Sequence, residues 1–91
     1  MKIHKNIYDI KIKLSKYLNF ESTYFDTILY KNDIYHCVIN FSIMYKVFNI
    51  QIHKNNKNIF QKMHVSENET IDIITKYLSS EIRKNKIKHL I

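Results

Sequence analysis

The chain contains no glycine, no proline and no tryptophan, and Cys37 is its single cysteine. Without glycine, the loop type that brings bare backbone amides up to a nucleotide's phosphates cannot be built. Turns that need a left-handed backbone must use other residues, of which Asn is the best suited. Asn55, Asn56 and Asn58 cluster between two strand-like runs, where such a turn is expected. One cysteine can form neither an internal disulfide nor a Cys-based metal motif, which fits a reducing, cytoplasmic setting. No apolar run is long enough to span a bilayer. Asp9 and several lysines interrupt the opening segment, which therefore resembles neither a secretory signal nor an anchor. A membrane is not an expected partner.

What is present is a chain of 91 residues with 45% hydrophobic content and 12 Phe and Tyr residues. That composition argues against disorder and suits one small globular domain spanning residues 1–91. The formal charge of +7 is uneven. Residues 1–16 hold five Lys against Asp9, residues 76–91 hold four Lys and Arg83 against Glu81, and the stretch between them is slightly acidic. Positive charge concentrated at two ends suggests a polyanionic partner such as nucleic acid.

The opening carries two patterns. Ile3, Ile7, Ile10, Leu14 and Leu18 could form one helical stripe starting near Lys2. Alternatively, Lys2 to Asn6 form a short strand, Ile10 and Ile12 anchor an extended connection, and a helix runs from about Lys13 to Leu29 through Leu14, Tyr17, Leu18, Phe25 and Ile28. The second agrees better with the rest of the chain. From Ile34 the period becomes two, with Tyr35, Cys37, Ile39, Phe41 and Ile43 on one face and His36, Asn40 and Ser42 on the other. A second alternation sets Phe48, Ile50 and Ile52 against Asn49, Gln51 and His53. A third contains Ile59, Met63 and Val65. The resulting expectation is an α+β fold of order β-α-β-β-β-α, in two layers, with both helices on one face of a four-stranded sheet.

The C-terminal segment is the most informative. Ser66 followed by Glu69 is the capping-box pattern and places a helix start near Glu67. Ile71, Ile74, Leu78 and Ile82 then recur at spacings of three and four, marking a buried face. Beyond Ile82 the apolar stripe stops while Arg83, Lys84, Lys86 and Lys88 continue without an acid. Such a run by itself commonly marks a solvated helix end. Its coincidence with a basic N-terminal segment is what suggests a phosphate-binding face.

Little in the sequence points to catalysis or to a cofactor. None of His4, His36, His53, His64 and His89 forms a His-x-His or His-x-x-x-His ligand pair, and His36 and Cys37 lie on opposite faces of one strand. Cys37 alternates into the core, where a thiol is normally packing. Neither a catalytic residue, a metal site nor a small-molecule substrate is expected. Most aromatic residues fall on core faces, leaving Tyr30 and Tyr45 as candidate base-stacking residues.

The segment Ile71 to Leu90 resembles the final helix of the ribosome hibernation-promoting factors, the ribosome-associated inhibitor family. That helix has an Ile-Asp start, a Leu, a Gln-Leu pair and a Lys-His-Lys run. This chain supplies Ile71, Asp72, Leu78, Glu81, Ile82, Lys84, Asn85, Lys86 and Lys88 at the same spacing. Asp9 to Ile12 sits where the family has its V-x-I segment, and Ile34 where its second strand opens. Departures are Tyr77 and Ser80 at usually basic positions, Glu81 for Gln, Asn85 for His, and missing turn glycines near Asn6 and at Asn55 to Asn58.

The resemblance implies a non-enzymatic translation regulator of the stress response. Such a protein lies on the small ribosomal subunit and its rRNA in the decoding region, where it excludes messenger and transfer RNA. The short length is similar to the branch that works with a separate ribosome-pairing factor. Lys84, Lys86 and Lys88 are the matched RNA-binding positions. Lys76 and Arg83, with Lys11, Lys13 and Lys16, are added from charge alone. About five phosphate contacts at roughly −0.9 log units each predict a few-hundredfold affinity loss between about 50 and 200 mM salt.

Two other readings stay open. A generic double-stranded or structured RNA-binding module has a similar order of elements, but its basic residues begin its last helix, where this chain has Glu67 and Glu69. A protein-interaction module that inhibits a nucleic-acid enzyme is the third.

Overall fold

The computed structural model describes residues 2–90, with side chains described through Lys86. Helix α1 (Lys5–Leu14) opens the chain, and five strands follow: β1 (Glu21–Tyr24), β2 (Thr27–Lys31), β3 (Tyr35–Ser42), β4 (Val47–Lys54) and β5 (Lys57–Val65). Helices α2 (Glu67–Tyr77) and α3 (Ser79–Leu90) close it. The strands form one antiparallel meander in sequential order. The α+β class stands, but with five strands and three helices the order differs from the expected β-α-β-β-β-α.

The first difference lies at the N-terminus. Residues 5–14 are helical, so the helical stripe from Ile3 to Leu18 describes this segment better than the expected strand Lys2 to Asn6. Ile7, Ile10 and Leu14 are buried on one face, as spacings of three and four require. His4 supplies the N-cap, its Nδ1 accepting from the Asn6 amide at 3.2 Å. Burying each of these aliphatic side chains contributes roughly 1.5–3 kcal/mol, enough to hold a ten-residue helix that would be marginal alone.

Where a helix from Lys13 to Leu29 was expected, β1 and β2 form a hairpin. The segment is rich in Ser, Thr and Tyr, which fit a pleated, half-buried surface better than a helix interior. Ile28 and Tyr30 are buried while their neighbours Thr27 and Leu29 are half-exposed, the period of a strand. Phe25 and Ile28 shared a helical spacing by coincidence. A bulge at Thr23 sets Ser22 opposite Ile28 and Tyr24 opposite Thr27.

The central strands follow the sequence pattern closely. Tyr35, Cys37, Ile39 and Phe41 of β3 and Phe48, Ile50 and Ile52 of β4 are buried. Ile43 is an exception, since it lies beyond the end of β3 and is 49% exposed. The β4–β5 connection is the two-residue turn Asn55-Asn56, with φ of 52° and 64°. Two positive φ values are the type I′ requirement, which Asn meets in place of Gly. Asn58 is already in β5.

Strand β5 departs from its expected alternation. Ile59 and Met63 are exposed, and only Val65 of the expected trio is buried. Two bulges explain the change. Phe48 and Ile50 pair with Val65 and Lys62, and Ile52 and His53 with Phe60 and Asn58, so β5 carries an extra residue at each step. Each extra residue reverses the inward phase, so Lys62 and Phe60 face the helices. His64, with φ of 59°, sits in the first bulge. Bulges on an outer strand also discourage sheet-to-sheet association.

The inward face of the sheet forms one buried cluster with Ile7, Ile10 and Leu14 of α1 and Ile74 and Leu78 at the α2–α3 end, so the helices cover one side of the sheet. The C-terminal helix is not continuous. It breaks at Leu78, with φ of −106° and ψ of 21°, just before the weak helix formers Ser79 and Ser80. The break lets Leu78 stay buried while the Ser80 hydroxyl lies 3.3 Å from the Tyr35 hydroxyl at the start of β3.

Candidate nucleic-acid interface

Helix α2 is held as its cap predicts, with Ser66 Oγ accepting from the Glu69 amide at 3.2 Å. The reciprocal half of the capping box is absent, because the Glu69 carboxylate turns to Lys62 Nζ of β5. Glu67 pairs with Lys13 of α1 at 3.1 Å. These two ion pairs strap α2 to its neighbours on either side, and each occupies a cation.

The basic residues consequently divide. Lys11 donates to Ser22 Oγ of β1 at 3.2 Å, on the opposite side of α1 from Lys13. Lys76 lies 5.8 Å from the ring of Tyr77, which packs on Phe60 of the outer strand β5. Lys16, however, meets Lys86, although 70 positions separate them in sequence: their ammonium groups lie 5.3 and 5.6 Å from the centre of the Tyr17 ring. Asn85 donates to the Tyr17 carbonyl oxygen and ties α3 to the segment after α1. The two basic ends of the chain thus join at one place, through Lys16 and Lys86 with Lys13 beside them.

Arg83, Lys84 and Lys86 are exposed on α3, while Glu81 is buried and Ile82 and Asn85 are half-buried. At 3.6 residues per turn, positions two apart point about 160° away from each other. Lys84 and Lys86 therefore flank α3 on opposite sides rather than sharing one face. The Lys88 side chain, also expected at the site, lies outside the described ones. The phosphate-binding residues anticipated from charge are thus not one flat face. They are a cluster around Tyr17 plus a helix with cations on both flanks.

Tyr17 is hidden in the sequence because periodicity places it on the apolar stripe of a helix from about Lys13 to Leu29, which does not form. Its signal is local: a Lys-Tyr pair one residue beyond Leu14, the last buried position of α1. The tyrosines singled out from sequence behave differently. Tyr30 is buried, and Tyr45 is exposed in the β3–β4 turn beside His64. Burial pushes the Tyr30 phenol up, with the Glu81 carboxylate adding to the effect, a hydrogen bond from Asn32 opposing it and Tyr35 adding a smaller increase.

Next to Tyr17 opens a cleft of about 440 Å³ lined by Ser15, Lys16, Tyr17, Leu18, Asn19, Tyr30 and Asn85. On the uncovered face of the sheet, His36 and His53 lie opposite each other with ring centres 6.1 Å apart. Among the described residues no three His, Cys, Asp or Glu side chains converge as a metal site. Burial pushes the Cys37 thiol up to about 12, so it stays protonated and unreactive at neutral pH. Among the described residues no helix is long and apolar enough to cross a membrane. Comparison with known protein families, curated proteins and solved structures gives no match for this chain.

Proposed function

We propose that this protein binds structured RNA through phosphate contacts made by Lys16, Lys86, Arg83 and Lys84, and that it acts by occupying space rather than by catalysing a reaction. The observation that carries the reading is the meeting of Lys16 and Lys86 over Tyr17. Oppositely charged side chains neutralise Lys13 and Lys62, whereas no acidic side chain pairs with Lys16 or Lys86 among the described residues. Cations held in register by a folded scaffold position a protein on a phosphate backbone without reading sequence, and folded RNA is recognised chiefly by backbone and shape. Cations on both flanks of α3 suit a cleft with phosphates on two walls better than a flat surface.

The small ribosomal subunit is the target this reading favours, where α3 would block messenger and transfer RNA as a hibernation factor does. Support for that particular target comes from the residue pattern of Ile71 to Lys88. The order of elements does not add to it, because the expected first strand and long first helix are replaced by α1 and the β1–β2 hairpin.

Sedimentation of the tagged protein through sucrose gradients at low and high salt, with and without ribonuclease, tests both levels. The expected result is migration with small subunits at low salt and release at high salt. Migration with other RNA would leave a structured-RNA binder without the ribosomal target. Migration as free protein in every gradient would overturn the proposal.

A further inference from the structure

We infer that His36 and His53 form a two-histidine chelate for a transition-metal dication that imidazole favours, Cu²⁺, Ni²⁺ or Zn²⁺, on the face of the sheet that the helices leave uncovered. Water fills the other coordination positions of the ion. The site lies on the opposite side of the sheet from the helices, so it stands or falls apart from the RNA-binding reading.

Strand register creates the pair. Spacing along the chain shows no ligand pair, but the β3–β4 ladder sets His36 directly opposite His53. Tyr35, Cys37 and Ile52, their neighbours in sequence, are buried, so both imidazoles point to the uncovered face. Opposed residues on one face have Cβ atoms about 4.5–5.5 Å apart, close enough for two imidazoles to reach one ion. The ladder runs without a shift from the pairing of Tyr35 with Lys54 to that of Ser42 with Val47, and neither strand is at an edge of the sheet. Both backbones are therefore fixed before an ion arrives, which lowers the ordering cost of binding.

The rings also fit a shared ion. Their centres are 6.1 Å apart with planes at 81°, so neither lies flat on the other. An ion about 2.0–2.1 Å from one nitrogen of each ring, with a tetrahedral angle between the two bonds, holds the ring centres about 5.3 Å apart. Closing that gap takes under about 1 Å, within the broad χ2 range of histidine. His36 is exposed and His53 half-buried, and neither ring makes a hydrogen bond or ion pair among the described residues. By contrast, His4 Nδ1 accepts from the Asn6 amide and its ring stacks on Phe41, while His64 meets only the ring of Tyr45. Lys31 flanks His36 on β2 and the uncharged Asn58 flanks His53 on β5. The long stem of Lys31 lets its ammonium turn to water, away from the ion. Imidazole donors select Cu²⁺, Ni²⁺ and Zn²⁺ over Mg²⁺, which prefers oxygen.

The test titrates Cu²⁺, Ni²⁺, Zn²⁺ and, as a control, Mg²⁺ into the untagged full-length protein by isothermal titration calorimetry in a neutral, non-chelating buffer. The expected result is one ion per chain, tightest for Cu²⁺, with no binding of Mg²⁺. Losing either ring removes the second, intramolecular contact, so His36→Ala and His53→Ala should each weaken binding by about a hundredfold or more. His36→Gln and His53→Gln keep a polar side chain on the open face and should do the same. His64→Asn, which suits the left-handed φ of 59° at that position, should leave binding unchanged. Bound metal should raise the Tm of the wild type and of His64→Asn but not of the His36 and His53 variants, whose cooperative melts without metal show that they are folded. Failure of the wild type to bind any of the three ions, affinity retained in a folded His36 or His53 variant, or a loss in His64→Asn as large as in His36→Ala would overturn the chelate. One ion shared between two chains would overturn it as a site within a single chain.

Discussion

Raising salt should release the protein from RNA to an extent set by how many of its cations are free to meet phosphates. The chain has 15 Lys and Arg residues, but the structure narrows the relevant set. Lys13 and Lys62 are neutralised by Glu67 and Glu69, Lys11 is turned toward Ser22, and Lys76 lies on Tyr77 near the outer strand. Of the residues expected from charge and pattern to meet phosphates, Lys16, Arg83, Lys84 and Lys86 remain among the described side chains. Four contacts at roughly −0.9 each give a log–log slope of about −3.6, or an affinity loss of about 150-fold between about 50 and 200 mM salt.

Lys16→Ala or Lys86→Ala should each reduce the slope to about −2.7, and the loss over the same range to about 40-fold. Lys62→Ala removes the same formal charge but should leave the slope unchanged, because that lysine already faces Glu69. Fluorescence anisotropy with a labelled hairpin at four or five salt concentrations gives all four slopes. A wild-type slope shallower than about −1.8, or a change for Lys62→Ala as large as for Lys16→Ala, would refute the assignment of contacts.

Other expectations concern the scaffold. Ser66→Ala removes the cap bond to the Glu69 amide and should cost about 1 kcal/mol in a urea melt, with no reciprocal Glu69 bond to lessen the loss. Lys46, with φ of 55°, holds a left-handed conformation that glycine adopts without penalty, so Lys46→Gly should stabilise the protein by about 0.5–1 kcal/mol, read as a rise of several degrees in Tm. Cys37 titrates near 9 when unfolded and about 12 when folded. The folded chain therefore retains the proton longer; this contribution to stability is complete below about pH 9 and declines by roughly 1.4 kcal/mol per pH unit toward the folded value. Cys37→Ala should flatten that alkaline decline in denaturant melts, and an identical profile in both proteins would contradict it.

Elements whose burial repeats at a regular spacing are legible in the sequence. The alternation along β3 and β4 and the capped stripe of α2 appear where the residues predict, since a side chain's direction in a strand or helix follows from its position. The Asn55-Asn56 turn was legible for the same local reason, as was the concentration of positive charge at both ends of the chain. The opening is ambiguous because residues 3 to 18 and 13 to 29 each contain a helical spacing, and only burial against β2 and β3 selects the first. In β5 a single inserted residue cannot be seen in composition, yet it reverses every inward and outward assignment beyond it.

The sequence alone thus determined the α+β composition, the central strands, the cap of α2 and a net charge suited to a polyanion, all consequences of local geometry and residue chemistry. Only the tertiary structure decided which cations are already paired, that Lys84 and Lys86 flank α3 on opposite sides, and that Lys16 and Lys86 meet over Tyr17. The physical reason is that electrostatic availability depends on distance through space. The acids that neutralise Lys13 and Lys62 are brought to them by packing, and the residues left free are brought together by the same packing.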